Sequence, residues 1–311
     1  MDITSMDLQG ILDPMTNPVT YAAPFFILTI LIELGALKWL DHDDNVTGYA
    51  LKDARTSLTM GVGSLFFLTA FKVVTFFAFT ALYVYVAPHV TPWGQLHPST
   101  GWGWVGYWLA VTLGLDFGFY WHHRFSHRVR LAWAGHQAHH SSEYMNYATA
   151  LRQKWNPWFE FFFWLPLPIL GFSPASMYAA FGVNLIFQFF VHTEMVDKLW
   201  RPIELVFNTP AHHRVHHGSD PEYLDKNYAG ILIIWDRLFG TFQQEKQRPT
   251  YGLTYPVNTY NLLRLQYGMY GDIIRDVRAT NGVRNKLGYI FGPPGWEPQG
   301  EHHENLVMPR R

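Results

Sequence analysis

Eleven of the 16 histidines fall between residues 122 and 217, in three tight clusters and one outlier. The clusters are His122-His123-Arg124-Phe125-Ser126-His127, His136-Gln137-Ala138-His139-His140 and His212-His213-Arg214-Val215-His216-His217, and His192 stands alone. On a helix, residues three or four apart share a face. His123 with His127, His136 with His139 and His140, and His213 with His216 and His217 therefore each present a set of imidazoles. Imidazole is a good ligand for iron and zinc. With His192, three such faces supply nine nitrogens, more than one catalytic metal takes, and so they point to two metals. Paired histidines that merely cap or cross-link a helix account for one His-x-x-His-His, not for three. Zinc is the simpler metal, but structural zinc usually takes Cys and zinc proteases carry His-Glu-x-x-His. The chain has neither. A nitrogen-rich dinuclear site suits iron and O2 better.

Residues around the clusters supply candidates for supporting roles. Asp116, Tyr120, His123 and His127 follow one another at helical steps and share a face. An acid in a membrane span is costly and marks function or a partner. Asp116 is expected to orient a ligand histidine through its far ring nitrogen, the alternative being a polar contact between helices. Tyr120 is read as packing. His122 and His212 each sit one residue ahead of a ligand face, about 100° away from it; His122 is read as structural, His212 as a candidate tenth ligand. Glu194, two residues after His192, is a candidate hydrogen-bond partner of a ligand. His42, His89, His97, His302 and His303 are expected at the surface.

The elements that must carry these residues are helices in a membrane. Charged residues make up 15% of the chain and aromatic ones 17%, a low charge against the usual quarter or so of a soluble protein. Tyr21 to Leu40 is apolar around Glu33, and Met60 to Val86 is apolar around Lys72. Trp102 to Trp121 has aromatic residues at both ends, where amphipathic rings settle at an interface. Residues 158–191 are too long for one span and are broken by Pro166, Pro168, Gly171 and Pro174, so they should enter and return as a hairpin. Arg124, Arg128, Arg130, Arg152 and Lys154 flank the histidines, while the N-terminus and loop 87–102 carry no Lys or Arg. The positive-inside rule then puts the N-terminus outside and the histidines in the cytoplasm. The first residues show no basic stretch followed by an apolar run and a cleavage site, so no signal peptide is expected.

The expected fold is an all-α integral membrane protein. Four to five embedded helices carry a cytosolic, His-rich, two-metal cap. An N-terminal segment spans 1–21, the transmembrane helices 22–121, the catalytic region with its re-entrant hairpin 122–260, and a polar C-terminal tail 261–311. Residues 227–235 read as an amphipathic element lying against the membrane, with Asp236 and Arg237 structural.

The chain resembles the fatty acid hydroxylase/sterol desaturase superfamily of membrane di-iron oxygenases through its spaced histidines. Its flanking blocks are most like those of the alkylglycerol monooxygenases: residues 133–143, Thr149-Ala150-Leu151-Arg152-Gln153, His192-Thr193-Glu194, residues 208–218, Asp225-Lys226-Asn227-Tyr228-Ala229-Gly230 and residues 234–242. The resemblance implies two irons and O2 hydroxylating a membrane lipid. In that branch, attack beside an ether oxygen gives a hemiacetal that collapses to an aldehyde and glycerol, with tetrahydrobiopterin as reductant. Two departures stand out: the polar tail, where the animal enzymes have a further apolar region, and Arg128, where they have an acid. Sterol C-5 desaturation and fatty acyl hydroxylation are the nearest alternatives.

Other functional classes fit less well. A membrane metal transporter would need a polar path, and the spans hold only Glu33, Lys72 and Asp116 as charged groups. A zinc scaffold would not use nine ligands. With a net charge of −1, nothing favours nucleic acid. No haem, flavin or nicotinamide motif is present, so electrons would come from a free reductant or an electron-donor protein. A bacterial inner membrane or the endoplasmic reticulum fits such an enzyme.

Overall fold

The computed structural model describes residues 17–39, 46–157 and 159–298. Asp2, Asp7, Asp13, His42, His302 and His303 lie outside the described residues, as does the end of the polar tail. The described chain is helical, and its one β contact is a single bridge between Gly218 and Tyr251.

Three helices are long and apolar enough to cross a membrane: α1 (Pro18–Trp39), α2 (Leu51–Val90) and Pro174–Val191. A π-helical turn over Leu82–Val86 interrupts α2. Large apolar side chains point outward from these helices, among them Phe25, Ile27 and Ile32 of α1 and Val62 and Phe66 of α2. An apolar exterior of this extent is the surface a bilayer covers. Helix α3 (Trp102–Arg128) is long enough but lies outside that set. Asp116 and its Gly, Trp and Tyr residues lower its hydropathy below that of the other three, so the expected span over Trp102–Trp121 is not matched by composition.

Helix α3 ends at Arg128 and α4 (Arg130–His140) follows at once. After a one-turn helix, α5 (Tyr147–Ala150), the chain runs out along α6 (Glu160–Ile169) and back along α7 (Pro174–Val191). The turn between them needs Gly171, whose φ is +96°, a region a side chain rarely enters. There Leu96 N–H donates to Gly171 O at 2.8 Å, so the turn meets the loop at the opposite end of the bundle from the histidines. Ser173 caps α7 by accepting from Ser176 N–H, with Pro174 in the first position. Phe79, Val111, Leu115, Phe119, Trp164 and Met177 form the core shared by α2, α3, α6 and α7.

Glu33 of α1 is buried and satisfied. It accepts from Tyr147 N–H at 2.9 Å and Thr193 Oγ1 at 2.5 Å, and from the Tyr49 hydroxyl. An acid inside an apolar helix thus fastens that helix to the backbone beside the second cluster and beside His192.

The polar half follows with α8 (Arg201–Val206), α9 (Pro210–His217) and α10 (Ile234–Leu238). Residues expected to form a polar tail instead form α11 (Leu262–Ala279) and α12 (Val283–Phe291). The physical reason is a stripe at helical spacing: Leu265, Met269 and Ile273 are buried against Trp133, Ala134, Ala138 and Met60. Arg130 pairs with Asp276 at 2.5 Å. The second His cluster is therefore backed by the C-terminal region.

Candidate metal centre

Helix α3 brings in His123 and His127, α4 brings His136, His139 and His140, His192 stands at the C-cap of α7, and α9 brings His213, His216 and His217. The nine converge as two groups. His123, His127, His136, His140 and His216 form one; His139, His192, His213 and His217 form the other. Within each, the candidate ligand atoms lie within 4.8 Å of one another. The clusters do not each serve one group. On a helix the i+4 residue sits about 40° one way and the i+3 residue about 60° the other. His136 and His140 therefore stay together while His139 turns to the second group. His213 and His217 likewise stay together, and His216 crosses to the first.

The ring nitrogens face one another. His136 Nε2 lies 2.9 Å from His123 Nε2 and 3.1 Å from His140 Nε2, and His140 Nε2 lies 3.1 Å from His216 Nε2. In the second group, His192 Nε2 is 2.9 Å from His213 Nε2 and 3.3 Å from His139 Nε2. Burial holds His123, His136, His139, His140, His213 and His217 well below the usual histidine range, and neighbouring imidazoles push the same way. His192 is lowered to about 4 and His216 to about 3, burial outweighing the carbonyls of Gln188 and Lys226. Where two bare nitrogens meet edge to edge, as at His192 and His139, a cation between them satisfies both lone pairs. Two nitrogens at adjacent corners of a metal with bonds of about 2.1 Å stand about 3 Å apart, so the residues present fit a metal in each group.

Backbone carbonyls set the rings. Nδ1–H of His123 donates to Tyr228 O at 2.9 Å, of His139 to Arg152 O at 3.2 Å, of His192 to Gln188 O at 2.6 Å and of His216 to Lys226 O at 3.1 Å. Each bond leaves Nε2 bare and aimed inward, the tautomer a metal needs. His213 Nδ1 and His217 Nε2 are buried with no partner among the described residues.

Asp116 acts differently from the expectation: it touches none of these rings. Its carboxylate accepts from Ile231 N–H at 2.7 Å, Leu232 N–H at 3.0 Å, Trp235 Nε1 at 2.9 Å and Asn184 Nδ2 at 2.9 Å. Asp236 accepts from Tyr228 N–H and Ala229 N–H, both at 2.8 Å. Burial raises Asp236 to about 6 despite these bonds and one from Thr241. Together the two acids clamp segment 225–232, which supplies the carbonyls for His123 and His216. This segment is buried, not laid on a membrane surface: Asn227, Tyr228 and Ala229 are almost wholly inaccessible. A Cβ on Gly230 would come within 2.7 Å of both Asp116 Oδ1 and Asn184 Nδ2, so only glycine lets the segment approach the acid.

Glu194 also departs from its expected role. It accepts from Thr47 N–H and Oγ1, both at 2.7 Å, and from the Tyr251 hydroxyl at 3.0 Å. His212 is not a tenth ligand. Its Nε2 lies 3.2 Å from Glu204 Oε2. Burial raises Glu204, but hydrogen bonds from His212, Leu199 and Thr209 outweigh it and hold the group at about 2. His122 is buried beside Trp164, with Nε2 3.3 Å from Lys154 Nζ and 3.8 Å from Glu160 Oε1.

Arg214, which the sequence reading leaves without a role, and Arg152, read there as a flanking cation, are both buried in ion pairs. Arg214 grips Glu245 with Nε and Nη2 at 2.7 and 2.8 Å, and donates through Nη1 to the carbonyls of Thr193 and Val196. Arg152 pairs with Asp53 at 2.6 Å. Charge inside a His-rich block was the available signal, but it reads equally well as a solvated or membrane-flanking cation.

An apolar cavity of about 130 Å³ lies between α2, α6 and α7. Leu65, Phe79, Phe161 and Trp164 line it, with Lys72 and Glu160 as its charges. The Lys72 ammonium stands 5.9 Å from the Tyr178 ring centroid.

A fatty acid hydroxylase family profile matches residues 108–241, which contain all nine converging histidines. The chain is 43% identical over 284 residues to the alkylglycerol monooxygenase of Danio rerio, covering 90% of this chain and 60% of that protein. It is 40% identical over 296 residues to the human alkylglycerol monooxygenase, covering 92% and 62%. An ornithine lipid hydroxylase of Rhizobium tropici is 32% identical over 145 residues, 43% of this chain and 42% of the relative. The chain thus spans about three fifths of the length of the alkylglycerol monooxygenases it matches. No solved structure matches it. Residues 108–241 are thus similar to the fatty acid hydroxylase family, and the chain as a whole is similar to the alkylglycerol monooxygenases.

Proposed function

We propose that this chain is a membrane di-iron monooxygenase that hydroxylates an ether lipid at the carbon beside the ether oxygen. The observation that carries the reading is the pair of buried, neutral histidine groups with their bare nitrogens turned inward. One iron would be held by His123, His127, His136, His140 and His216, the other by His139, His192, His213 and His217. Iron there would activate O2 for attack on an unactivated C–H bond, chemistry to which a donor set free of thiolate is suited. The chain's own residues keep the nitrogens unprotonated and aimed, and exclude water from the rings. The apolar cavity offers the alkyl chain a place among the helices.

The similarity to animal alkylglycerol monooxygenases supports an alkylglycerol as substrate. One oxygen atom of O2 enters the C–H bond and the other leaves as water, with two electrons and two protons supplied by a reductant. The resulting hemiacetal collapses to a fatty aldehyde and glycerol. Tetrahydrobiopterin or a separate electron-transfer protein would supply the electrons. The histidines would face the cytoplasm, with loop 87–102 outside, in a bacterial inner membrane or the endoplasmic reticulum. A cysteine placed at Ser99, in a chain that has no other, should label from outside intact cells; labelling only after permeabilisation reverses the orientation.

The reaction is tested by loading the protein with iron and offering an alkylglycerol, a sterol and a fatty acyl lipid, each with reduced pterin, ferredoxin or cytochrome as donor. Aldehyde release from the alkylglycerol is expected. A new ring double bond in the sterol, with the ether lipid untouched under every donor, would sink the assignment.

A further inference from the structure

The apolar cavity carries charge at two places, and they stand at different depths. Glu160 lies beside the histidines: its Oε1 is 3.8 Å from His122 Nε2 and 2.6 Å from Lys154 Nζ. Trp164, which also lines the cavity, has its ring centroid 5.4 Å from that of His122. Lys72 is remote. Met60 of α2 shares one buried cluster with Ala138, which lies between His136 and His140 in α4, and Lys72 comes twelve residues later, about 18 Å along the helix. The polar groups near Lys72 are already engaged: Thr75 Oγ1 and the Tyr178 hydroxyl stand 2.9 Å apart, and the carbonyls of Phe71 and Lys72 lie within reach of their protons at 3.0 and 3.1 Å.

At the Glu160 end, hydrogen-bonding capacity is left over. Glu160, 7% exposed, meets Lys154 and His122 through Oε1. His122, 3% exposed, has its Nδ1 buried without a partner. Lys154 Nζ meets Glu160 and His122 and can donate a third bond. Buried polar groups left with spare capacity are costly unless something satisfies them.

We propose that Lys154 and Glu160 read the hydroxylated head of the lipid whose chain occupies this cavity. The Glu160 carboxylate accepts from a head-group hydroxyl and the Lys154 ammonium donates to a second oxygen, while the chain runs along α2 toward Lys72. This assignment rests on the ether-lipid reading above, and it explains why reaction would fall beside the ether oxygen. Holding the head next to His122 leaves the first chain carbon as the one nearest the histidines. A head held at Lys72 would place the reacting carbon most of a chain length away. The two residues are specificity determinants and touch neither the nine histidines nor the reacting carbon.

The test compares two probes on the full-length, iron-loaded protein under anaerobic conditions, where binding proceeds without turnover. The probes are 1-O-hexadecylglycerol and its 2,3-di-O-methyl derivative, each competing against a photoreactive hexadecyl ether for cross-linking. Wild type should prefer the free diol by about tenfold, the ratio that one hydrogen bond to a charged group supports. In Glu160→Gln and Lys154→Met the two probes should bind within about twofold of each other, with affinity for the capped ether unchanged. A preference for the diol that survives in both variants overturns the proposal, as does failure of wild type to bind either probe. Admitting O2 and a donor then separates the two claims. Aldehyde release by wild type with a surviving diol preference in the variants leaves the ether-lipid reading standing and removes this one. A preference that depends on Glu160 without any aldehyde supports head-group recognition and removes the reaction.

Discussion

The two histidine groups share helices α4 and α9 but are held differently. The five-histidine group takes two rings each from α3 and α4 and one from α9, and segment 225–232 fixes His123 and His216 through its carbonyls. The four-histidine group takes single rings from α4 and from the end of α7, and two from α9. Its carbonyl supports come from Gln188, in α7 itself, and Arg152, in the loop after α5. One group is thus rich in donors and hangs on a loop clamped by two buried acids. The other has one donor fewer and leans on His192, a single residue at a helix end. A metal with fewer protein ligands keeps more positions open, so the four-histidine group is where small molecules would meet the centre most readily.

The largest effect expected from this comparison is loss of metal from the poorer group. His192→Ala should lower metal content by about one ion per chain and reduce turnover by roughly 100-fold or more, since even outer partners of a ligand cost about 10–100-fold. His140→Ala leaves four donors in its group and should retain more metal. Equal loss from the two variants, measured by elemental analysis, breaks the comparison.

Acid should act next. His192 is held at about 4 against an ordinary 6.5, so the unfolded chain takes up its proton first as pH falls. Metal-free protein should therefore lose stability between pH 6.5 and about 4, by about 3 kcal/mol from His192 alone. Thermal unfolding across that range checks this, and bound metal should shift the loss to lower pH. A midpoint independent of pH in the metal-free protein contradicts the buried, neutral state of the ring.

Asp116→Asn sharpens the comparison further. It removes an acceptor from the clamp on segment 225–232, so affinity for one metal should fall by about 10–100-fold while the other stays bound. Metal titration should resolve a weakened site and an unchanged one; weakening of both means the clamp supports the whole centre. The smallest effect belongs to Arg128→Ala. Arg128 pairs with Asp225 at 3.1 Å, but its side chain is 57% exposed, and such pairs contribute less than about 1 kcal/mol. Unfolding and metal content should barely change.

Much of this centre was legible from residue type and spacing alone. Nine imidazoles at helical steps and long apolar stretches do not depend on knowing which helices meet. The C-terminal helices were legible too, in the stripe of Leu265, Met269 and Ile273, but polar residues between them read as a tail. Asp116 shows the other limit. Its spacing from His123 suggested a direct bond, yet its partners are Ile231, Leu232 and Trp235, more than a hundred residues away.

What the sequence determined by itself is the chemistry on offer: the type and number of candidate donors, the absence of thiolate, and helices apolar enough for a membrane. These follow from composition and from the 3.6-residue repeat. The tertiary structure decided how the ligands divide. Residues at i+3 and i+4 share a face only loosely, diverging by about 100°, and only the positions of the neighbouring helices settle which side of that divergence each ring serves. His139 and His216 leave their clusters for that reason, and segment 225–232 becomes a support for histidines because α3 and α10 each bring a buried acid to its amides.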